Sequence, residues 1–127
     1  MPRSRRKATP PPILTIGPIT VNRDTATVKI DEQVQRLRPK EALLLWTLML
    51  HANTVMSRAE LMQKVWHTDF ADDTRTLEVH MHWLRRRIEP LPRRPHFLHT
   101  VRGQGYVFRW EDPPPPGDEA ATPPPDA

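Results

Sequence analysis

The chain has 127 residues, no cysteine and a formal net charge of +4, which is length for one domain and leaves no disulfide, thiolate-bound zinc or thiol catalysis. No apolar run approaches the ~20 residues of a membrane span, and the start has no signal-peptide core. Charge is segregated: residues 1–12 carry Arg3, Arg5, Arg6 and Lys7 without an acid, residues 111–127 carry five acids without a base, and residues 75–110 hold eight arginines against Glu78 and Glu89. A polyanion is the first partner to consider, nucleic acid ahead of an anionic membrane surface, with a plain solvated face as the alternative. Arginine in place of lysine favours phosphate and guanine, which its planar fork matches. The expected location is cytoplasmic, at the nucleoid.

Four of the 16 prolines lie in residues 1–12 and seven in 113–127. Residues 1–12 therefore read as a flexible basic arm, 13–110 as the folded domain, and 111–127 as a disordered acidic, proline-rich tail. Residues 13–37 alternate and are rich in Ile, Val and Thr. They predict three or four short antiparallel strands, with turns at 21–25 and 30–33 and a break at Gly17-Pro18. Pro39 opens a helix over PKEALLLWTLMLH, with Glu41 suited to its positive start and Trp46 in the core. Ser57-Arg58-Ala59-Glu60 is a capping-box pattern before LMQKVW and predicts a short second helix. A loop follows over 66–73. Asp73 can cap a third helix over 74–89, stopped by Pro90 and Pro92. HFLHTVRGQGYVFRW then reads as two strands around Gly103-Gln104-Gly105, a hairpin. The fold class is α+β.

On a helical wheel Leu77, Met81, Leu84 and Ile88 fall within about 80° of one another and form a core stripe. Arg75, Val79, His82, Trp83 and Arg86 fall on the other side. An exposed tryptophan beside a valine needs a reason; contact with a partner and packing on the domain's flank both supply one. An α-helix fits the major groove, where arginine reads guanine and apolar groups touch the thymine methyl. Arg85, Arg86 and Arg87 point in three directions, so at least one is a plain solvated charge. Arg102, at the hairpin tip, suits a narrow minor groove or is a solvent-facing turn charge.

LRPKEALLLW, SRAELMQKVW, DDTRTLEVHMHWLRRRIEP and HTVRGQGYVF stand in an order and spacing that resembles the winged-helix DNA-binding domain of OmpR/PhoB-type response regulators, over about residues 13–110. The resemblance implies a winged helix-turn-helix: a four-stranded sheet, three helices and a C-terminal hairpin, the wing. It implies that Arg58, Trp66, Arg75, Thr76, His80 and Arg85 grip the phosphate backbone. Val79, His82 and Trp83 would face the major groove, with Arg86 added by the wheel. Thr100, Arg102 and Tyr106 would belong to the wing, Arg102 at the minor-groove position. It further implies tandem binding to direct repeats of double-stranded DNA, with a homodimer formed on DNA, and contact of loop 67–72 with RNA polymerase in activators.

Three departures from the family pattern stand out. The two positions after Met81 are commonly basic and here are His82 and Trp83. The usual threonine before the first helix's proline is Arg38, removing a side-chain cap worth ~1 kcal/mol. The receiver domain with its phosphorylatable aspartate has no room here; Met1 and the two tails favour a complete chain over a cut one.

Catalysis is not expected. The GxG lies between two strands rather than between a strand and a helix. Asp69, Asp72 and Asp73 share a loop where capping is the simpler role. His80 and His82 are two apart on a helix and cannot share a metal, and His96 with His99 lacks further ligands. No cofactor is expected. The rival to DNA binding is a winged-helix protein-interaction module centred on Val79 and Trp83. RNA binding is disfavoured, since no pair of exposed aromatics sits on a sheet.

Overall fold

Alternating β-branched residues with tight turns between them build the N-terminal sheet. The computed structural model describes residues 10–68, 75–90 and 96–110. The expected Asp73 cap, most of loop 67–72, and the arm and tail apart from residues 10–12 lie outside them. Strands β1 (Ile13–Ile16), β2 (Ile19–Asn22), β3 (Thr27–Ile30) and β4 (Gln33–Arg36) form an antiparallel meander in chain order. Gly17 takes a φ of 57° in the first turn, and Asp31 takes the same φ in the last. Both are two-residue hairpin loops, for which positive φ suits the twist. Asn22 Oδ1 accepts from the Asp24 and Thr25 amides at 2.9 and 3.1 Å, an Asx turn where a turn was expected. Ile19, Val21 and Val28 are buried and cover the helices from one side.

Helix α1 (Pro39–Leu50) is central, with Ala42, Leu44, Leu45, Trp46, Leu48 and Met49 all buried. Trp46 is core, as expected, and its indole N–H donates to the Pro11 carbonyl at 2.9 Å. The Arg23 amide donates to Pro12 O at 3.0 Å. Two residues assigned to the arm are thus hydrogen-bonded to the domain. Arg38 gives α1 no side-chain cap, because a guanidinium has nothing to accept with. Its own amide instead donates to Glu41 Oε1 at 2.7 Å. Half of a capping box survives, and the loss expected from the missing threonine is correspondingly reduced.

Ser57 caps α2 (Arg58–Leu61) as its sequence predicts. Glu60 N–H donates to Ser57 Oγ, and Ser57 N–H to Glu60 Oε1, each at 3.0 Å. The chain then widens into a π-helical turn over Met62–Trp66, which no sequence signal announced. It stops at His67 in the left-handed region, φ 56°, whose amide donates to Gln63 O at 2.9 Å. Helix α3 (Arg75–Ile88) buries Leu77, Met81, Leu84 and Ile88, the stripe the wheel picked out.

Strands β5 (Leu98–Val101) and β6 (Gly105–Phe108) make the hairpin around residues 102–104. Met56, between α1 and α2, exchanges both backbone hydrogen bonds with Tyr106, at 2.8 and 3.0 Å. Glu89, just past α3, is 5 % exposed. Its carboxylate accepts from the amides of His96 at 2.6 Å, Phe97 at 3.0 Å and Leu98 at 2.8 Å. The hairpin is therefore tied to the helices at both strands.

Candidate nucleic-acid interface

Burial of one stripe of α3 leaves the opposite side of the helix in solvent. Arg75, Thr76, Val79, His82 and Arg86 are exposed there. Val79 is 39 % exposed, an apolar group open to solvent. Together with Arg75, Thr76, His80 and Trp83 it lines a shallow cavity of about 280 Å³.

Trp83 is only half-buried rather than free, which corrects the expectation of an exposed ring. The Arg38 guanidinium lies 4.0 Å from its ring centroid. The His80 ring also stands 4.9 Å from Trp83, and Trp66 is 5.0 Å from His80, edge to face. Trp66, His80, Trp83 and Arg38 thus form one ladder joining the end of the π turn, α3 and the start of α1. His80 Nδ1 is 2.8 Å from Thr76 O. A carbonyl only accepts, so Nδ1 carries the proton and the ring orientation is fixed.

Arg58, Arg85, Thr100 and Tyr106 come together where α2, α3 and the wing meet. Arg85 Nε donates to Leu98 O at 3.1 Å, and Nη2 to Thr100 Oγ1 at 2.8 Å. Burial lowers the basicity of Arg85 from the ordinary arginine value; the Tyr106 phenol and Glu89 partly offset it. It still carries a charge at neutral pH. Arg85 is therefore first a strut between α3 and β5, a role the sequence did not disclose. Arg58 places Nε 3.8 Å from Glu78 Oε2, with its guanidinium 5.3 Å from the Tyr106 ring centroid. Tyr106 itself is buried. Of the three consecutive arginines, Arg85 turns to the wing, Arg87 turns to Glu41 at 3.5 Å, and Arg86 is the exposed one. Arg102 is exposed at the wing tip, next to Gly103 at φ 76°.

Sequence reasoning missed the part that three residues play in shaping this surface. Glu41, read as a first-turn acid, is fully buried beneath Arg38 and Arg87. Gln35 donates from Nε2 to Arg87 O at 2.9 Å, pinning β4 to α3. Arg38 was noticed as a departure, but its position over Trp83 was not foreseen. Among the described residues, no three His, Cys, Asp or Glu side chains group as metal ligands. His99 Nε2 meets the His96 carbonyl at 3.2 Å rather than its ring. No described helix is long and apolar enough to cross a membrane.

An antiparallel sheet, three helices and a hairpin docked on the turn after the first helix define a winged helix-turn-helix, the class of many DNA-binding domains. The family described as "Transcriptional regulatory protein, C terminal" matches residues 31–108, and the chain belongs to it, the OmpR/PhoB-type DNA-binding domains. The alkaline phosphatase synthesis transcriptional regulatory protein SphR of Synechococcus elongatus is 40 % identical over 96 residues, 76 % of this chain and 37 % of that one. The chain thus spans well under half the length of that relative. The DNA-binding domain of CpxR from E. coli superposes with a TM-score of 0.65 at 28 % identity, covering 77 % of this chain and 96 % of that domain. The DNA-binding domain of the response regulator AdeR, solved in complex with an intercistronic region, gives 0.64 at 26 % identity, covering 76 % and 98 %.

Proposed function

We propose that the chain is a sequence-specific double-stranded DNA-binding transcriptional regulator, with α3 in the major groove and Arg102 in the minor groove. The observation that carries this reading is the exposed side of α3, where Arg75, Thr76, Val79, His82 and Arg86 share one solvent-facing side of the helix. Guanidinium and imidazole groups on that face read base edges or phosphate, and Val79 with the Trp83 rim offers a seat for a thymine methyl. Arg58, His80 and Thr76 flank it as backbone contacts. Arg85 orients the wing, so that Thr100 and Arg102 approach the groove next to the one α3 enters. AdeR, a relative in fold, is known bound to DNA, and this supports the same partner here. Tandem occupation of direct repeats, a homodimer formed on DNA, contact of loop 67–72 with RNA polymerase, and a cytoplasmic site of action belong to the same proposal. The chain has no enzymatic role in it.

Five or six phosphate contacts give a log–log salt slope of about −5. A contact centred on Val79 and Trp83 with another protein would show a much flatter dependence, which separates the rival reading. Arg102→Ala is expected to weaken binding selectively where the base pairs under the wing are A·T-rich, because narrow minor grooves concentrate negative potential. Fluorescence anisotropy on duplexes differing only in that flank checks this. Equal losses on A·T and G·C flanks would reduce Arg102 to a phosphate contact.

A further inference from the structure

A polar cavity of about 480 Å³ opens beside the C-terminal half of α3, between β4 and the start of α1. Its walls are Gln35, Arg38, His82, Trp83, Arg86 and Arg87, with three guanidiniums and no acid among them. A carboxylate, that of Glu41, stands behind the wall and is fully buried. Arg38 Nη1 is 3.6 Å from its Oε2, and Arg87 Nε is 3.5 Å from its Oε1. Neither of these two guanidinium contacts is a hydrogen bond. Glu41 Oε2 and Arg87 Nε are both buried without a hydrogen-bond partner among the described residues. One carboxylate against three guanidiniums leaves positive charge in excess, and guanidinium donors are left over to meet an anion.

The walls are held in place before anything binds. Trp83 supports the Arg38 guanidinium from below at 4.0 Å, and Gln35 fixes the backbone of Arg87 at 2.9 Å. The cavity shares His82, Trp83 and Arg86 with the exposed side of α3. Whatever lies along that side also covers the cavity's mouth. Trp83 puts no cation of its own on α3, and Arg38 supplies one over the same ring.

We propose that this cavity seats a backbone phosphate of the duplex that α3 reads, with Arg38 as its main donor. The inference rests on the DNA-binding reading and extends the interface to α1 and β4. A phosphate seat carries no base information, so its loss acts alike on all sequences.

The test compares the unmodified chain with Arg38→Gln and Arg38→Lys on two duplexes, one selected for binding and one of random sequence, across a salt series. Thermal unfolding verifies that each variant folds. Arg38→Gln is expected to weaken binding about tenfold on both duplexes and to make the salt slope shallower by about one. Arg38→Lys should keep the slope while losing part of the affinity, since it retains the charge without the planar stack. A folded Arg38→Gln protein with unchanged affinity and slope, while the unmodified chain binds, would overturn the proposal. So would inorganic phosphate shifting the Trp83 indole resonance when Arg38→Gln leaves DNA binding intact, which would make this a free-anion site. Failure of the unmodified chain to bind either duplex would remove the DNA reading itself, and the phosphate seat with it.

Discussion

Gly105→Ala is expected to destabilise the domain by at least ~3 kcal/mol and to release the wing from the helices. Gly105 has a φ of 149°, and a Cβ there would lie 2.0 Å from the carbonyl oxygen of Met56. That neighbour is backbone, so no rotamer change relieves the clash. The same Met56 carbonyl accepts from Tyr106 N–H at 3.0 Å, and the pair forms the bridge between the wing and the turn after α1. Relief by backbone movement therefore breaks that bridge. Gly103→Ala is the control. Its φ is 76° but nothing lies within 4 Å of the added carbon, so the expected loss is only the ~1–2 kcal/mol of a left-handed alanine. Urea unfolding of the two variants checks both numbers. Similar small losses for both would show that the wing is not packed on Met56. If Gly105→Ala still folds, it should also lose the preference that Arg102 gives for A·T-rich flanks, because the tip is no longer aimed.

Glu89→Ala is expected to destabilise the domain by about 2–6 kcal/mol, because the two buried amides of Phe97 and Leu98 lose their acceptor at about 1–3 kcal/mol each. The Glu89 carboxylate is the acceptor for three successive amides, those of His96, Phe97 and Leu98. Phe97 and Leu98 are buried, so water does not readily take the carboxylate's place. Phe97 also stacks between Phe108 and Trp110, each at 5.9 Å, and loss of its backbone anchor loosens that stack. Hydrogen exchange gives the sharper readout. The Phe97 and Leu98 amides should lose protection by more than the global change in stability predicts. Unchanged protection would mean that Glu89 is not their acceptor in solution.

The frame of the domain was legible because its signals are local. The capping box at Ser57, the turn at Asn22 and the stripe of Leu77, Met81, Leu84 and Ile88 each depend on residues a few places apart, and each appears as expected. The exposed side of α3 followed from the same period. What stayed hidden depends on residues far apart in sequence. Gln35 reaches Arg87 across 52 positions, and Arg38 reaches Trp83 from a different helix. No wheel of a single helix contains that contact, so packing on the domain's flank stood only as one of two readings of the ring, with no partner named for it. Arg85 shows the same limit. The resemblance implied a phosphate contact for it; that two of its donors go to Leu98 and Thr100 of the wing was not legible in the sequence. Nothing near Glu89 in the sequence marks its role, because its amide partners lie seven to nine positions on, beyond a proline-rich stretch that gives no pairing signal.

Sequence-specific recognition of duplex DNA is tested most directly by selection from a random duplex pool with the full chain at two salt concentrations, sequencing the bound fraction. Enrichment of one motif is predicted, repeated at about one helical turn, with affinity falling steeply between the two salts. Val79→Ala and Arg86→Ala should each shift the enriched bases, at about 1–3 kcal/mol per affected base pair. Salt-sensitive binding with no enriched motif would contradict specificity. Absence of binding at low salt would contradict the DNA reading altogether and leave Val79 and Trp83 as the centre of a protein-binding face.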